Sequence, residues 1–330
     1  MFGLSTELKR NRTRTEQTMK SNLWKRALAG SCLLATALAT PAGPLQRGDV
    51  GNDPVWLVHL DCDALRQTAI GKHILSEMEK PEAKKKLAAF QAIFSFDLRE
   101  GLRGLTLYGT SSKSDDGVLL AYADIDQERL TTLAEGTTEH RSTAHGKHTI
   151  HSWIDDKKPG KQRVYSAILA TKLVIFAQKE SRVAEALDVL DHAKPNLNSS
   201  TVFTRLGAGA NHPFLIGAAR KLELPGSDPN AAVLKQSKMV WLSVGESQRQ
   251  MEAVLTLEAE SEDVAKQIES VGRGLVGLLA LQQDKPEATK LAQALALQQE
   301  GPAVTVKFSL PADDVVGMMK ARSAKKAADQ

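Results

Sequence analysis

Four of the eight histidines lie within twelve residues, and they are the side chains of this chain best suited to bind a metal. They are His140, His145, His148 and His151. A metal site needs three or four ligands that converge on one point, with further hydrogen bonds that orient them. Residues three apart on a strand point to opposite faces, so His148 and His151 would diverge. We therefore expect an exposed, histidine-rich hairpin and no metal.

A second candidate site is the run Asp61-Cys62-Asp63, which directly follows an apolar stretch. Two carboxylates at such a position could act as an acid/base pair or bind a cation. Carboxylates just before a helix also cap its first amide groups and interact favourably with its dipole. Because other strand-to-helix junctions of the chain carry similar residues, we expect Asp61 and Asp63 to cap a helix.

Cys62 could act as a nucleophile only if a base lay beside it. His59 precedes it by three residues on a predicted strand, so its side chain should face the other way. The motifs of serine hydrolases, P-loops, zinc peptidases and EF-hands are missing, and Gly207-Ala208-Gly209 lacks the third glycine of a dinucleotide loop. We expect no catalytic residue, no metal and no cofactor.

Trp56 and Trp241 occupy the same local sequence, Val-Trp-Leu. Exposed aromatic side chains mark binding interfaces, so the two could form a platform for a partner. Equivalent packing in two duplicated strands explains them more simply. We expect a packing role for both.

The elements that position these residues follow a repeated pattern around two copies of Lys-Pro-Glu-Ala, at residues 80–83 and 285–288. Proline fits the first helical position, and glutamate in the first turn interacts favourably with the helix dipole. We expect the second of these helices over residues 286–299 and strands at 102–109 and 303–310. A β-α-α-β unit would then occur twice, which predicts an internal duplication.

Hairpins mixed with helices on short connections predict an α+β fold. We expect two related halves, each a mainly antiparallel sheet with helices packed on one face. The polar segment at residues 193–200 is the best boundary between them. The predicted domains therefore cover residues 43–195 and residues 196–330.

Residues 1–42 predict a signal peptide. Lys20, Lys25 and Arg26 precede an apolar run at residues 27–39 that ends in small residues, as cleavage sites require. This run is too short to cross about 30 Å of hydrocarbon. We expect the mature protein to lie outside the cytoplasm, either in the periplasm or secreted.

Two alternatives concern the same N-terminal segment. A lipoprotein would be modified at Cys32, but the apolar run continues for seven residues beyond it. A start at Met19 instead of Met1 would give a more compact signal. With either start, we predict that the mature protein begins near Thr40 or Gly43, whereas acylation at Cys32 would establish the lipoprotein alternative.

The net charge changes once this segment is removed. The whole chain has a formal net charge of +4. Residues 1–39 alone have a net charge of +5, so the remaining chain has a net charge of about −1. The predicted mature protein therefore offers no electrostatic argument for nucleic-acid binding.

Cys62 is the single cysteine of the predicted mature protein, so no intrachain disulfide can form. The apolar run at residues 275–281 is too short to span a bilayer, and we expect no integral membrane segment.

Four segments resemble a widespread group of uncharacterised secreted bacterial proteins. They are Asp-Cys-Asp-Ala-Leu at 61–65, Gly-Lys-His-Thr-Ile-His-Ser-Trp at 146–153, residues 172–190 and residues 261–319. The resemblance implies secretion and a duplicated α+β architecture. No activity is associated with that group, so the resemblance implies none here.

From these observations we interpret the chain as a non-catalytic protein of the cell envelope that binds another envelope protein or scaffolds an assembly. The alternative is a carrier of a small ligand or metal that uses a cleft between the two halves. An enzyme is the least favoured class, because the candidate residues have simpler structural roles.

Overall fold

The computed structural model describes residues 43–155, 161–220, 234–282 and 286–328. Pro41–Gln330 form one compact unit, and the predicted boundary between residues 195 and 196 lies inside it. The predicted signal peptide at residues 1–42 lies outside the described residues, as does Lys285.

Within the described residues, twelve strands form a single sheet whose paired neighbours are all antiparallel. Its order is β11-β12-β10-β9-β8-β1-β2-β3-β7-β6-β5-β4. The strands are β1 (Trp56–Asp61), β2 (Leu102–Gly109), β3 (Gly117–Ala123), β4 (Arg141–His145), β5 (His148–Asp155), β6 (Gln162–Leu169), β7 (Leu173–Ala177), β8 (Pro213–Arg220), β9 (Ser237–Ser247), β10 (Gln250–Ala259), β11 (Leu295–Glu300) and β12 (Ala303–Pro311).

The described helices connect these strands. They are α1 (Cys62–Gln67), α2 (Ala69–Met78), α3 (Pro81–Phe94), α4 (Leu98–Gly101), α5 (Gln127–Glu135), α6 (Glu180–Leu190), α7 (Glu262–Ala280), α8 (Pro286–Gln293) and α9 (Ala312–Ala328). The fold is therefore α+β with a large antiparallel sheet, as predicted. Instead of two separate sheets, the strands of both predicted halves join where β8 pairs with β1.

Both Lys-Pro-Glu-Ala prolines begin a helix, Pro81 in α3 and Pro286 in α8. The predicted extent of the second helix is wrong, because α8 ends at Gln293 and residues 295–300 form β11. In both units the strand after the helices pairs antiparallel with the strand before them, β2 with β1 and β12 with β10. The units differ in that the second contains the additional strand β11, which the first lacks.

One face of the sheet, here called the back face, carries the main core. Leu57, Tyr108, Leu120 and Ile175 lie on this face in cross-strand register and are buried against Val183 and Leu187 of α6 and other apolar side chains. Burial of this many large apolar groups is the dominant stabilising contribution to such a fold.

The opposite face, here called the front face, is covered at two places. The first half of α7 packs Ala265 and Ile268 against Leu257 and Val304. α5 and the end of α3 lie over strands β5 to β7. Helices therefore contact both faces, and the expectation that they pack on one face is wrong. Alternate residues of the central strands are apolar on both sides, so each face needs cover.

The chain segment that precedes β1 is hydrogen-bonded to the sheet through His59. Its Nε2 lies 2.7 Å from the carbonyl oxygen of Gly43, so this nitrogen carries the proton and donates it. Its Nδ1 lies 2.8 Å from the Thr106 hydroxyl and accepts from it. Burial lowers the pKa of this imidazole, although the hydrogen bond to Gly43 acts in the opposite direction.

Candidate functional site

The centre of the front face carries an uncovered group of apolar side chains. We call this group the apolar strip and define it by its six residues, Val58, Leu60, Leu105, Leu107, Leu119 and Leu215. They come from the adjacent strands β8, β1, β2 and β3, and cross-strand register places them on one face. All six are exposed or half-buried, although they lie in the middle of a twelve-stranded sheet.

Val58 and Leu107 form the middle of the apolar strip. They are direct cross-strand partners, and they remain 43% and 40% exposed. Their chain neighbours Leu57 and Tyr108 point to the back face and are buried. Central sheet strands are normally covered on both apolar faces, so this pair marks a surface that the described residues leave uncovered.

Trp56 borders the apolar strip at one end. Its indole lies across Gly109 and Gly117, where an added Cβ would come within 2.7 Å and 3.6 Å of the ring. The indole Nε1 donates to the Ser111 carbonyl oxygen over 2.9 Å. These contacts hold the ring against the sheet. The two glycines have no side chains, so the indole can pack directly on the backbone beside the strip.

Trp241 lies on the opposite face from Trp56, because it is in register with Ala218, which pairs with Leu57. Trp241 is buried in the main core, with the Arg205 guanidinium 5.2 Å from the ring centroid. Its packing role is confirmed. The prediction that the two tryptophans occupy equivalent positions is wrong, since one faces each side.

Helix α7, whose second half contacts the edge strand β11, carries further exposed apolar side chains apart from the apolar strip. Its first half is buried against the sheet, but Leu275, Leu278 and Leu281 near its end are all more than half exposed. Among the described residues, the large apolar side chains that are exposed are these three, Val58, Leu107 and Ile93 of α3. The apolar run at residues 275–281 thus lies at the exposed end of a helix.

The four clustered histidines separate into two groups. His145 and His148 lie over the back face and donate through Nε2 to Asp188 of α6 and to Asp191 directly after this helix, over 2.7 Å and 3.1 Å. His140 and His151 lie on the other side, with 3.2 Å between Nε2 of His140 and Nδ1 of His151. The predicted divergence of His148 and His151 is confirmed. No cluster of metal-ligating residues occurs in the described part of the chain.

The expectation that the histidine hairpin is exposed is wrong for His151, which is only 5% exposed. It lies in register with Ser166 of β6, under the sheet edge covered by α5. Burial lowers its pKa, and the neighbouring His140 lowers it further. A substitution at His151 therefore affects packing, in contrast to a change at an exposed strand residue.

We predict that stability falls as the pH falls below about 6.5. The pKa values of His59 and His151 are both lowered in the folded protein, so the unfolded chain binds more protons in this range. Urea midpoints measured between pH 7.5 and 5 should therefore decrease. The decrease should be smaller in His151→Gln, which removes one of the two groups; an unchanged slope would contradict the role given to His151.

The acidic run before α1 has a structural role. The Asp61 carboxylate accepts a hydrogen bond from the Ala64 amide over 2.8 Å, and its capping role is confirmed. Asp63 pairs with Arg66 in the next turn and with Arg103 of β2. Both carboxylates are thus engaged at the start of the helix, and they do not form an acid/base pair.

Cys62 is buried, and burial raises the pKa of its thiol to about 11. His59 points into the back-face core, where it contacts Thr106 and Gly43 instead of the thiol. The thiolate, which is the reactive form, is therefore scarce at neutral pH.

We predict that Cys62 reacts at pH 8 with iodoacetamide at least about 100-fold more slowly than a free cysteine, because little thiolate is present and access is blocked. In 8 M urea the rates should become equal. Peptide mass spectrometry of the labelled protein would separate Cys62 from Cys32. Rapid labelling of Cys62 in the folded protein would contradict its burial.

None of the six strip residues was singled out by sequence reasoning. The available signal was the run Trp56-Leu57-Val58, in which neighbouring residues are all apolar, so both faces of β1 require cover. The sequence does not say which face lacks it, because that depends on where α6 and α7 pack.

Among the described residues, no helix combines the length and apolar character needed to cross a membrane.

Comparisons with known proteins identify structural neighbours only. Neither a protein-family model nor a curated protein matches the chain. Crystal form III of TP0453 is 11% identical, with a TM-score of 0.48 over 84% of this chain and 98% of that chain. Crystal form IV is 10% identical, with a TM-score of 0.45 over 86% of this chain and 98% of that chain. Crystal form I is 10% identical, with a TM-score of 0.43 over 84% of this chain and 98% of that chain. Identities this low assign no function.

Proposed function

We propose that this chain is a non-catalytic binding protein that acts outside the cytoplasm and docks another cell-envelope protein on its apolar strip. The observation that carries the proposal is the cross-strand pair Val58 and Leu107, which is left exposed at the centre of the sheet. A partner that covers this pair would bury apolar surface at about 25 cal/mol per Å².

The shape of the uncovered surface favours helices as the occupant. Four strands about 4.8 Å apart present a surface roughly 20 Å wide. An α-helix with its side chains is about 10 Å in diameter, so one or two helices fit between the parts of the front face covered by α5 and α7. Because no strip side chain is charged, the partner should present the apolar side of amphipathic helices.

The candidate catalytic residues support a non-catalytic role. Asp61 caps a helix, Cys62 is protonated and buried, and His145 and His148 bind carboxylates in and directly after α6. These side chains are engaged in holding the fold together.

Photocrosslinking in the native cell envelope tests the proposal. p-Benzoylphenylalanine placed at Leu107 should capture one defined protein, and the same group at Val58 should capture the same protein. The matched control is Ala144 on strand β4, which is equally accessible but lies at the far edge of the sheet. Crosslinks only to lipid, only to a second copy of the chain, or equally from Ala144 would contradict it.

A further inference from the structure

A cavity of about 680 Å³ lies on the front face between strands β5 to β7, helix α5 and the end of α3. Its size falls within the range of sites that enclose small organic molecules. All its lining residues lie between positions 93 and 176, inside the first predicted half. It is therefore distinct from the cleft between halves that the sequence suggested for a carrier.

The lining is apolar and aromatic. It includes Phe94, Leu133, Trp153, Val164, Ile168 and Phe176. These side chains are only half-buried in the folded chain, because they face the cavity instead of one another. A molecule that filled the cavity would remove this apolar surface from water, which favours binding.

A buried polar group without a partner lies at the floor of this cavity. Ser166 of β6 is 1% exposed, and its hydroxyl makes no hydrogen bond. Its neighbours on the same face of β6, Val164 and Ile168, also line the cavity. A buried hydroxyl without a partner is unfavourable by roughly 1–3 kcal/mol, so a ligand that bonded to it would recover this loss.

The walls of the cavity are held in place without a ligand. The Arg129 guanidinium of α5 donates to the Ile93 carbonyl oxygen of α3 over 2.8 Å and also bonds to that of Ala92. Asp126 caps α5 by accepting from the Arg129 amide over 3.1 Å. The cavity is thus formed in the free protein, which lowers the entropic cost of binding.

The charges around the cavity limit what it can bind. Its lining includes the carboxylate of Asp155 and the hydroxyls of Thr137, Thr138 and Ser166. No lysine, arginine or histidine occurs among the described residues that line it. Among the described lining residues no cation could pair with a buried anionic group, so a neutral ligand is favoured over an anionic one.

We propose that this cavity binds a small, neutral, largely apolar molecule that forms one hydrogen bond with the Ser166 hydroxyl. The site is distinct from the apolar strip, because it lies under α5 and the end of α3 over β5 to β7, although its Phe176 is the cross-strand neighbour of Leu119 in the strip. It is a binding site and includes no chemical step.

Fluorescence titration with N-phenyl-1-naphthylamine tests the site, because this probe is neutral, aromatic and carries one N–H group. We expect saturable binding of one probe per chain. Palmitate, an anion with an apolar chain, should compete poorly, and neutral 1-phenylnaphthalene should compete well. Absence of saturable binding, or stronger competition by palmitate, would overturn the proposal.

Three variants locate the probe. Ser166→Ala should weaken binding of N-phenyl-1-naphthylamine about 5-fold and leave that of 1-phenylnaphthalene unchanged, since only the former bonds to the hydroxyl. Val164→Trp should fill part of the cavity and weaken the binding of both aromatic compounds at least about 10-fold. If this variant does not fold, Leu133→Trp makes the same test from the helix α5 side of the cavity.

The control is Leu107→Lys in the apolar strip, which should leave probe binding unchanged. If that variant abolishes binding, or if both tryptophan variants retain it, the probe occupies another surface and the cavity assignment is wrong. Loss of the protein partner with retained probe binding would show that the two sites are separate.

Discussion

Replacing Phe203 by alanine is expected to destabilise the fold by about 3–5 kcal/mol, the usual loss for a fully buried phenylalanine. Phe203 is 1% exposed, although it lies in the segment between Leu197–Ser199 and β8 that has little regular structure. Its ring packs into the back-face core beside other buried side chains. Its carbonyl oxygen also accepts from the Arg47 guanidinium over 3.2 Å.

The Phe203→Ala substitution tests the contribution of the side chain alone, because the backbone strain is the same in both proteins. The residue has a φ of 57°, which strains alanine and phenylalanine alike. Urea unfolding followed by circular dichroism should give a much lower midpoint for Phe203→Ala. The control, Val58→Ala in the apolar strip, should change the free energy of unfolding by about 0.5 kcal/mol or less. Equal midpoints would show that this segment does not complete the core.

The same substitution, glycine to alanine, should have opposite effects in two helices. At Gly71 of α2 an added Cβ would lie 1.9 Å from the Leu65 carbonyl oxygen, which belongs to the backbone and cannot move freely. Thr68 fixes this corner, because its hydroxyl donates to that oxygen over 2.7 Å and accepts from the Gly71 amide over 2.8 Å. Gly71→Ala should therefore destabilise the fold by about 1–3 kcal/mol or more.

Gly274 of α7 is the matched control. Nothing lies within 4 Å of the position that its Cβ would occupy. Gly274→Ala should therefore stabilise the protein by up to about 1 kcal/mol through helix propensity alone. Thermal unfolding of both variants gives the comparison. If Gly71→Ala were also stabilising, the close contact between α1 and α2 would be wrong.

Strands with strong apolar patterns could be predicted from the sequence, and weakly patterned edge strands could not. Strand β2 was predicted with the bounds that the structure gives, Leu102–Gly109. For strand β4 the sequence indicates only one arm of the histidine-rich hairpin and no bounds, because Arg-Ser-Thr-Ala-His, exposed at the edge of the sheet, has no apolar alternation. Residues 295–300 were assigned to a helix because leucine, alanine and glutamine favour helices, whereas pairing with β12 makes them a strand.

The capping role of Asp61 could be predicted because it depends on residues close in sequence. The apolar strip and the Ser166 cavity could not be, because each depends on contacts between distant segments. The open strip exists only because β8 pairs with β1 while α6 packs on the other face. The internal duplication stays a prediction: β2 pairs with β1 as β12 pairs with β10, but the additional strand β11 follows Pro286 and has no counterpart after Pro81.

The most direct test of the account is the affinity of the double variant Val58→Lys/Leu107→Lys for the protein that crosslinks at Leu107. Two lysines at the centre of a docked apolar surface would be buried without partners, so binding should weaken by roughly 100-fold or more. The matched control is Ala144→Lys/Thr149→Lys, an exposed cross-strand pair on the edge hairpin, which should bind like the parent. Unchanged affinity of a folded Val58→Lys/Leu107→Lys variant would contradict the assignment of the apolar strip as the binding surface.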